Sequence, residues 1–359
     1  MKVLDDFNQA AIDISGRLTA LREATQAEQG KQSRDKLFPD YNRVGFGIAL
    51  EWERMGNQPV SDDLLDKATA LGVEFEHIGL TLGTVLHNVD LSQPLGSEWV
   101  SFLRQALLER KVIFFHEQNL SEDEQVAFAR YFGELDAFPF GKSGQNPFVL
   151  TLDHDDQNPG NQNGWHTDVT WMEKPSLGSV AQTMTVPPVG GDTLFSDSHA
   201  VYLGLDPNLQ QRLQHVAGVN DYRVLLGGGG KHALPEELLK EVKSRIPFGV
   251  SHPIFRTHPE TGKTGLFLHP TFLRHDSLYD TRNGEPLGET ESRKVVAELK
   301  NQHARQEYIC RFQWQQGSVA FWDNRAVQHY ATSDYYPHKR ILRRVTISGD
   351  RPFYNPEKA

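Results

Sequence analysis

From residue 73 onward the chain is built of short bursts. "EFEHIGL", "KVIFFHE", "PFVLTLD", "LGSVAQTMTV", "DTLFSDS", "VSHPIFRTH", "TGLFLHP", "YICRFQW", "SVAFWDN" and "ILRRVTISG" each have the length and the β-branched and aromatic content of a strand. Gly, Pro, Asn or Asp punctuates them, which gives about ten strands. Helical spacing appears at 97–110, 121–133, 235–245 and 289–304, but these segments do not alternate with the strands as βαβ units require. The fold class that fits is mainly β with flanking helices: a double-sheet barrel of the jelly-roll or cupin kind, with the helices packed outside it.

Residues 1–72 read differently. Phe7, Ala11, Ile14, Leu18 and Leu21 recur at helical spacing and predict an amphipathic helix over 5–28; residues 30–47 read as loop, and a second short helix fits 61–71. The expected organisation is a helical N-terminal extension, 1–72, packed on the main body or mediating self-association, followed by one large domain, 73–359. "LLGGGGKH", 225–232, lacks the Walker spacing and the Lys-Ser/Thr end of a phosphate loop and reads as a plain loop.

A net charge of -10 repels polyphosphate and anionic membrane surfaces, so the expected partner is a small molecule, with no nucleic acid and no membrane. Cys310, the single cysteine, can form neither an internal disulfide nor a thiolate metal cluster. With an acidic start and no long apolar run, the expected location is the cytoplasm.

"GWHTDVTW", 164–171, carries the first chemical signal. In an extended backbone the side chains of i and i+2 leave on one face, so His166 and Asp168 point at one spot. An isolated H-x-D also fits a solvated edge strand. Far downstream, "SVAFWDNRAVQHYATSDYYPHKRILRRVTISG" contains His329. Two imidazoles and one carboxylate on one face of an octahedron, with the other positions open, are the ligand set of non-haem Fe(II) oxygenases. His166, Asp168 and His329 supply it, although fifteen histidines in the chain also allow a coincidence.

In "RILRRV" the period of two sends Arg340, Leu342 and Arg344 to one face and Ile341, Arg343 and Val345 to the other. Turned into an apolar barrel, the first face would bury two guanidiniums, which is costly unless an anion meets them. A basic surface strand is the alternative.

"GWHTDVTW", "GGDTLFSD", "HPIFRTHPETGKTGLF" and "WDNRAVQHYATSDYYPHKRILRRVTISGDRPFY" stand in an order that resembles the taurine dioxygenase family of Fe(II)/2-oxoglutarate-dependent oxygenases, over about 73–359. The resemblance implies a double-stranded β-helix core and iron held by His166, Asp168 and His329. It implies 2-oxoglutarate with its distal carboxylate on Arg340 and the Thr193 hydroxyl, and Arg344 on an anionic group of the substrate. The implied reaction uses O2 to hydroxylate an unactivated C–H bond, with succinate and CO2 as coproducts. Family members often form homo-oligomers, so a dimer or tetramer is expected. Trp165, Trp171, Phe195, Phe272 and Trp322 flank the motifs and are candidates for the pocket wall.

The chain departs from the members that use taurine. Phe138 and Gly141 occupy the positions that would grip the sulfonate and line the amine pocket, and Gln162 replaces an asparagine. A phenyl ring in place of an imidazole removes a hydrogen-bond donor, so the substrate is expected to be greasier than taurine and still anionic: a sulfonate, sulfate ester or carboxylate. Phe138, Gln162, Phe272 and Arg344 are the expected substrate contacts. The insertion 278–293 is a further departure, expected to reshape the entrance. His252, His258, His269 and His275 read as structural, and "DHDD", 153–156, as a solvated loop. Desaturation or cyclisation of an amino-acid-like substrate, and a noncatalytic jelly-roll binding protein, are the competing functions.

Overall fold

The computed structural model describes residues 41–138, 145–160, 162–222, 240 and 249–358. The helix expected over 5–28, the glycine loop 225–232, Gly141 and all but Lys240 of the helix expected over 235–245 lie outside them. The strands in chain order are β1 (Glu74–His77), β2 (Thr84–His87), β3 (Val112–Phe115), β4 (Leu135–Asp136), β5 (Val149–His154), β6 (Gly178–Thr185), β7 (Thr193–Asp197) and β8 (Val216–Asn220). They continue as β9 (Val250–Pro253), β10 (Phe255–Thr257), β11 (Thr264–Leu266), β12 (Tyr279–Asp280), β13 (Ile309–Phe312), β14 (Val319–Asp323), β15 (Val327–Ala331) and β16 (Arg340–Ile347).

A large sheet runs in the order β1-β2-β3-β14-β6-β16-β4, with β5 also paired to β16, and a smaller one runs β13-β7-β15. Apolar side chains from both sheets meet in one core: Phe114, Trp322 and Leu342 from the large sheet, Phe195, Phe312 and Val327 from the small one. Phe114 and Phe312 stack across it at 4.0 Å. These are the two walls of a jelly roll.

Alternation explains why the central strands read as continuous apolar runs. In β14, Val319 and Phe321 face the helices Ser97–Arg110 and Glu122–Arg130, while Ala320 and Trp322 face the barrel core. Both faces are covered, so all five residues are buried. The helix Glu122–Arg130 begins on a capping box, with Ser121 Oγ accepting from the Glu124 amide and the Glu124 carboxylate accepting from the Ser121 amide. The helix Asp62–Leu71, expected over 61–71, is capped by Ser61 and stopped by Gly72 in the left-handed conformation.

The loop expected over 30–47 is helical from Tyr41, in a helix that runs to Arg54. Gly45 and Gly47 look like helix breakers in the sequence, but Gly47 is where this helix crosses Ser198–Gly204: a Cβ there would collide with the Ala200 carbonyl oxygen. One turn on, Glu51 is fully buried and pairs with Lys111 Nζ at 2.8 Å and Lys263 Nζ at 2.7 Å. Lys111 Nζ also lies 2.8 Å from Asp197 Oδ2, at the end of β7. The insertion 278–293 supplies β12, which pairs with β8, and the start of the helix Glu289–Leu299. Among the described residues no helix is long and apolar enough to cross a membrane.

Candidate active site

His166 and His329 are brought together by one antiparallel bridge. The His166 amide donates to the His329 carbonyl at 3.0 Å, and the His329 amide to the His166 carbonyl at 2.8 Å. His329 lies in β15, whose pairing with β7 sets its side chain opposite Phe195. After His166 the chain does not stay extended as the i, i+2 pattern supposes; it turns at Asp168. Val169 takes φ 49°, an unfavourable conformation for a β-branched residue. The turn is held from outside. Asn324 accepts from the Asp168 amide at 2.9 Å and donates to the Asp168 carbonyl at 3.1 Å and to Ser176 Oγ at 2.9 Å.

One ligand atom from each of His166, Asp168 and His329 lies within 4.8 Å of the others, and all three residues are buried. His166 Nδ1 is 2.7 Å from the Gly164 carbonyl oxygen, which can only accept. The ring proton therefore sits on Nδ1 and the Nε2 lone pair is left for a metal. His166 Nε2 is 3.8 Å from Asp168 Oδ1, and His329 Nε2 is 3.9 Å from Asp168 Oδ2. Burial, reinforced by the His166 ring, lowers His329 to about 3, so its imidazole is neutral at ordinary pH. Burial would push the Asp168 carboxyl up, but Arg344, His329 and His166 outweigh it and hold the group at about 2. Two neutral imidazoles and a carboxylate make a donor set that fits Fe(II).

The triad opens into a cavity of about 620 Å³. Arg340, Leu342 and Arg344, which the strand alternation puts on one face, all line it, while Arg343 turns away to Gln182 Oε1 at 3.2 Å. Arg340 is buried and its Nε has no hydrogen-bond partner, with Tyr335, Asp192 and Asp334 the groups whose field it feels. Its Nη2 is 3.5 Å from Thr193 Oγ1. Burial lowers the guanidinium from its ordinary value. A buried guanidinium that lines a cavity, with an Nε that finds no partner, fits an anionic ligand group. Arg344 is engaged: its Nη1 lies 3.1 Å from both carboxylate oxygens of Asp168. Phe138, Gln162 and Phe272 line the same cavity, and the Phe138 ring centroid is 6.0 Å from the Arg344 guanidinium carbon.

The model of the taurine catabolism dioxygenase TauD, TfdA family matches residues 74–346. The chain belongs to this dioxygenase family. It is 33% identical to the alkylsulfatase of Acinetobacter baylyi, over 75% of this chain and 83% of that protein. It is 32% identical to an alpha-ketoglutarate-dependent sulfate ester dioxygenase of Pseudomonas putida, over 79% of this chain and 92% of that one. A solved putative alpha-ketoglutarate-dependent taurine dioxygenase from Burkholderia xenovorans superposes with a TM-score of 0.66 at 33% identity, covering 79% of this chain and 95% of that one. With its buried His-Asp-His group, the chain is a 2-oxoglutarate-dependent non-haem iron dioxygenase that uses Fe(II), 2-oxoglutarate and O2 on a small-molecule substrate.

Of the aromatic wall candidates in this dioxygenase, Trp171, Phe195, Phe272 and Trp322 line the cavity, whereas Trp165 packs on Tyr330 at 5.6 Å instead. No residue of the insertion 278–293 lines it. The four additional histidines have other partners. His258 Nε2 meets Asp323 Oδ2 at 3.0 Å, His252 Nε2 the Met172 carbonyl at 2.9 Å and His275 Nε2 the Pro270 carbonyl at 2.7 Å, and His269 Nδ1 accepts from the Thr271 amide at 3.0 Å. In "DHDD", His154 ends β5 and lines the cavity, Asp153 is near Lys339 at 3.3 Å, and Asp155 caps a turn through the Gln157 amide.

The sequence reading missed Asn324, Trp314 and Tyr335. Trp314 and Tyr335 flank Arg340, with ring centroids 5.9 and 5.8 Å from its guanidinium carbon. "WDN" and "DYY" stood inside the motif block, but nothing local distinguishes an asparagine that clamps a distant turn from one that caps its own.

Proposed function

We propose that this dioxygenase hydroxylates the carbon next to the ester oxygen of a small sulfate ester, with sulfonates and carboxylates as the related anions to test beside it. The observation that carries the reading is the placement of two guanidiniums, Arg340 and Arg344, on one strand face in the cavity that holds the triad. In this reading His166, Asp168 and His329 hold Fe(II), which with 2-oxoglutarate and O2 supplies the oxidant. Arg340 and Thr193 receive the distal carboxylate of 2-oxoglutarate and fix its direction. Arg344 meets the substrate anion, and Phe138, Gln162 and Phe272 contact its body. Trp171, Phe195, Trp322 and Leu342 give the cavity walls that exclude water.

Support for a sulfate ester comes from the relatives named as an alkylsulfatase and a sulfate ester dioxygenase, and from the phenyl ring at Phe138, which offers no donor to a small zwitterion. The alcohol formed at that carbon carries hydroxyl and sulfate together. Loss of its hydroxyl proton and of the sulfate group gives an aldehyde and hydrogen sulfate, while 2-oxoglutarate and O2 are converted to succinate and CO2. The same reading has residues 1–72 as a helical extension to a catalytic domain at 73–359, and the protein as a cytoplasmic dimer or tetramer. The buried single cysteine is consistent with a reducing compartment.

The test is succinate release in the presence of alkyl sulfates, alkylsulfonates, carboxylates and amino acids, with product identification. The proposal predicts succinate, aldehyde and sulfate in equal amounts from an alkyl sulfate. Succinate formed only with amino acids, with an alkene or ring as product, would replace it by the oxidase reading.

A further inference from the structure

Thr193 opens β7 and is paired in register with Phe312 of β13. Trp314, two residues beyond Phe312, packs edge-on against that ring at 5.0 Å and is 5% exposed. This places its indole Nε1 2.9 Å from Thr193 Oγ1. Arg340 Nη2 approaches the same oxygen at 3.5 Å. Neither an indole N–H nor a guanidinium N–H can accept a hydrogen bond. A hydroxyl oxygen has two lone pairs and one proton; when two obligate donors face its lone pairs, the proton is directed away from both.

We infer that Trp314 is a positioning residue for the cosubstrate: its indole N–H fixes the Thr193 hydroxyl as a donor, so that this hydroxyl and the Arg340 guanidinium both offer protons to the far carboxylate of a 2-oxo acid. The inference rests on the assignment of these two groups to 2-oxoglutarate. Beyond the arginine-and-hydroxyl pair, the indole N–H turns an ambivalent hydroxyl into a one-way group. The Trp314 ring also lies 5.9 Å from the Arg340 guanidinium carbon, so replacement by phenylalanine keeps an aromatic ring beside that charge and removes the N–H.

The experiment measures binding without turnover, by anaerobic calorimetry on protein loaded with Mn(II), for 2-oxoglutarate and for 2-oxopentanoate, which lacks the far carboxylate. Trp314→Phe is expected to weaken 2-oxoglutarate about three- to tenfold, the scale of one hydrogen bond. It is expected to leave 2-oxopentanoate unchanged. Thr193→Val should do the same, and the double variant should bind 2-oxoglutarate no more weakly than Thr193→Val alone, because Trp314 acts through that hydroxyl. Replacing Trp314 by benzothienylalanine, which keeps the bicyclic shape and exchanges N–H for sulfur, gives the same result if the phenylalanine variant does not fold. Equal weakening of both acids by the benzothienyl variant, additive losses in the double variant, or no loss at all would overturn the inference. Wild-type protein that does not bind 2-oxoglutarate would remove the assignment beneath it, a failure visible before any variant is compared.

Discussion

Arg344 reaches from β16 to Asp168 and holds both carboxylate oxygens at 3.1 Å from one guanidinium nitrogen. The contact joins the residue read as the substrate's anion partner to a residue of the iron triad. Arg344→Ala is predicted to raise the KM for an anionic substrate about ten- to a hundredfold, the scale of a charged hydrogen-bonded pair, and to change the KM for 2-oxoglutarate little. Steady-state kinetics with each ligand varied in turn checks the split.

Arg340 predicts the mirror image. Arg340→Ala should raise the 2-oxoglutarate requirement about ten- to a hundredfold while kcat at saturating cosubstrate falls far less. Equal losses in kcat and in kcat/KM for cosubstrate would show that Arg340 acts on the chemical step and not on binding.

Phe138 faces Arg344 without offering a hydrogen bond from its own side chain. Phe138→His should shift preference toward a short sulfonate by about three- to tenfold in the ratio of kcat/KM values for taurine and an alkyl sulfate. Competition between the two substrates, followed by chromatography of the products, measures that ratio directly.

The helix Tyr41–Arg54 is tied to the barrel through charge. Lys111 is buried between Glu51 and Asp197, so Lys111→Met takes from Asp197 its buried cation, leaves Glu51 with Lys263 alone, and should cost about 3–5 kcal/mol in urea unfolding. Burial would raise the Glu51 carboxyl, but Lys111, His199 and Lys263 outweigh it and lower it from 4.5 to about 2. A carboxyl lowered by folding adds stability above its unfolded value and loses it as pH falls toward its folded value. The stability advantage of wild type over Glu51→Gln should therefore be full above pH 4.5 and shrink between 4.5 and 2.

What could be read from the sequence was whatever has a local period. The alternation of β16 placed Arg340, Leu342 and Arg344 on one face and Arg343 on the other, and the turn-punctuated bursts gave the jelly-roll class. Five strands went unread. β4 and β12 have two residues each, too short to show alternation; β2 and β8 are as long as strands that were read but follow glycine or carry one, at Gly83 and Gly218, and β15 lay inside a stretch notable for its histidine. Glycine at 45 and 47 concealed a helix, because the reason for Gly47 is a neighbouring helix far along the chain. The clamp of Asn324 on the Asp168 turn and the indole bond to Thr193 link residues far apart in sequence, and no local pattern carries such a link.

The central claim is that His166, Asp168 and His329 together hold one Fe(II) with room for a 2-oxo acid beside it. Anaerobic titration of the protein with Fe(II) and 2-oxoglutarate, followed by visible absorption, tests it most directly. The account predicts a metal-to-ligand charge-transfer band that saturates at one iron per chain and disappears in His329→Ala. No band in the wild-type protein, or an undiminished band in the variant, would contradict it.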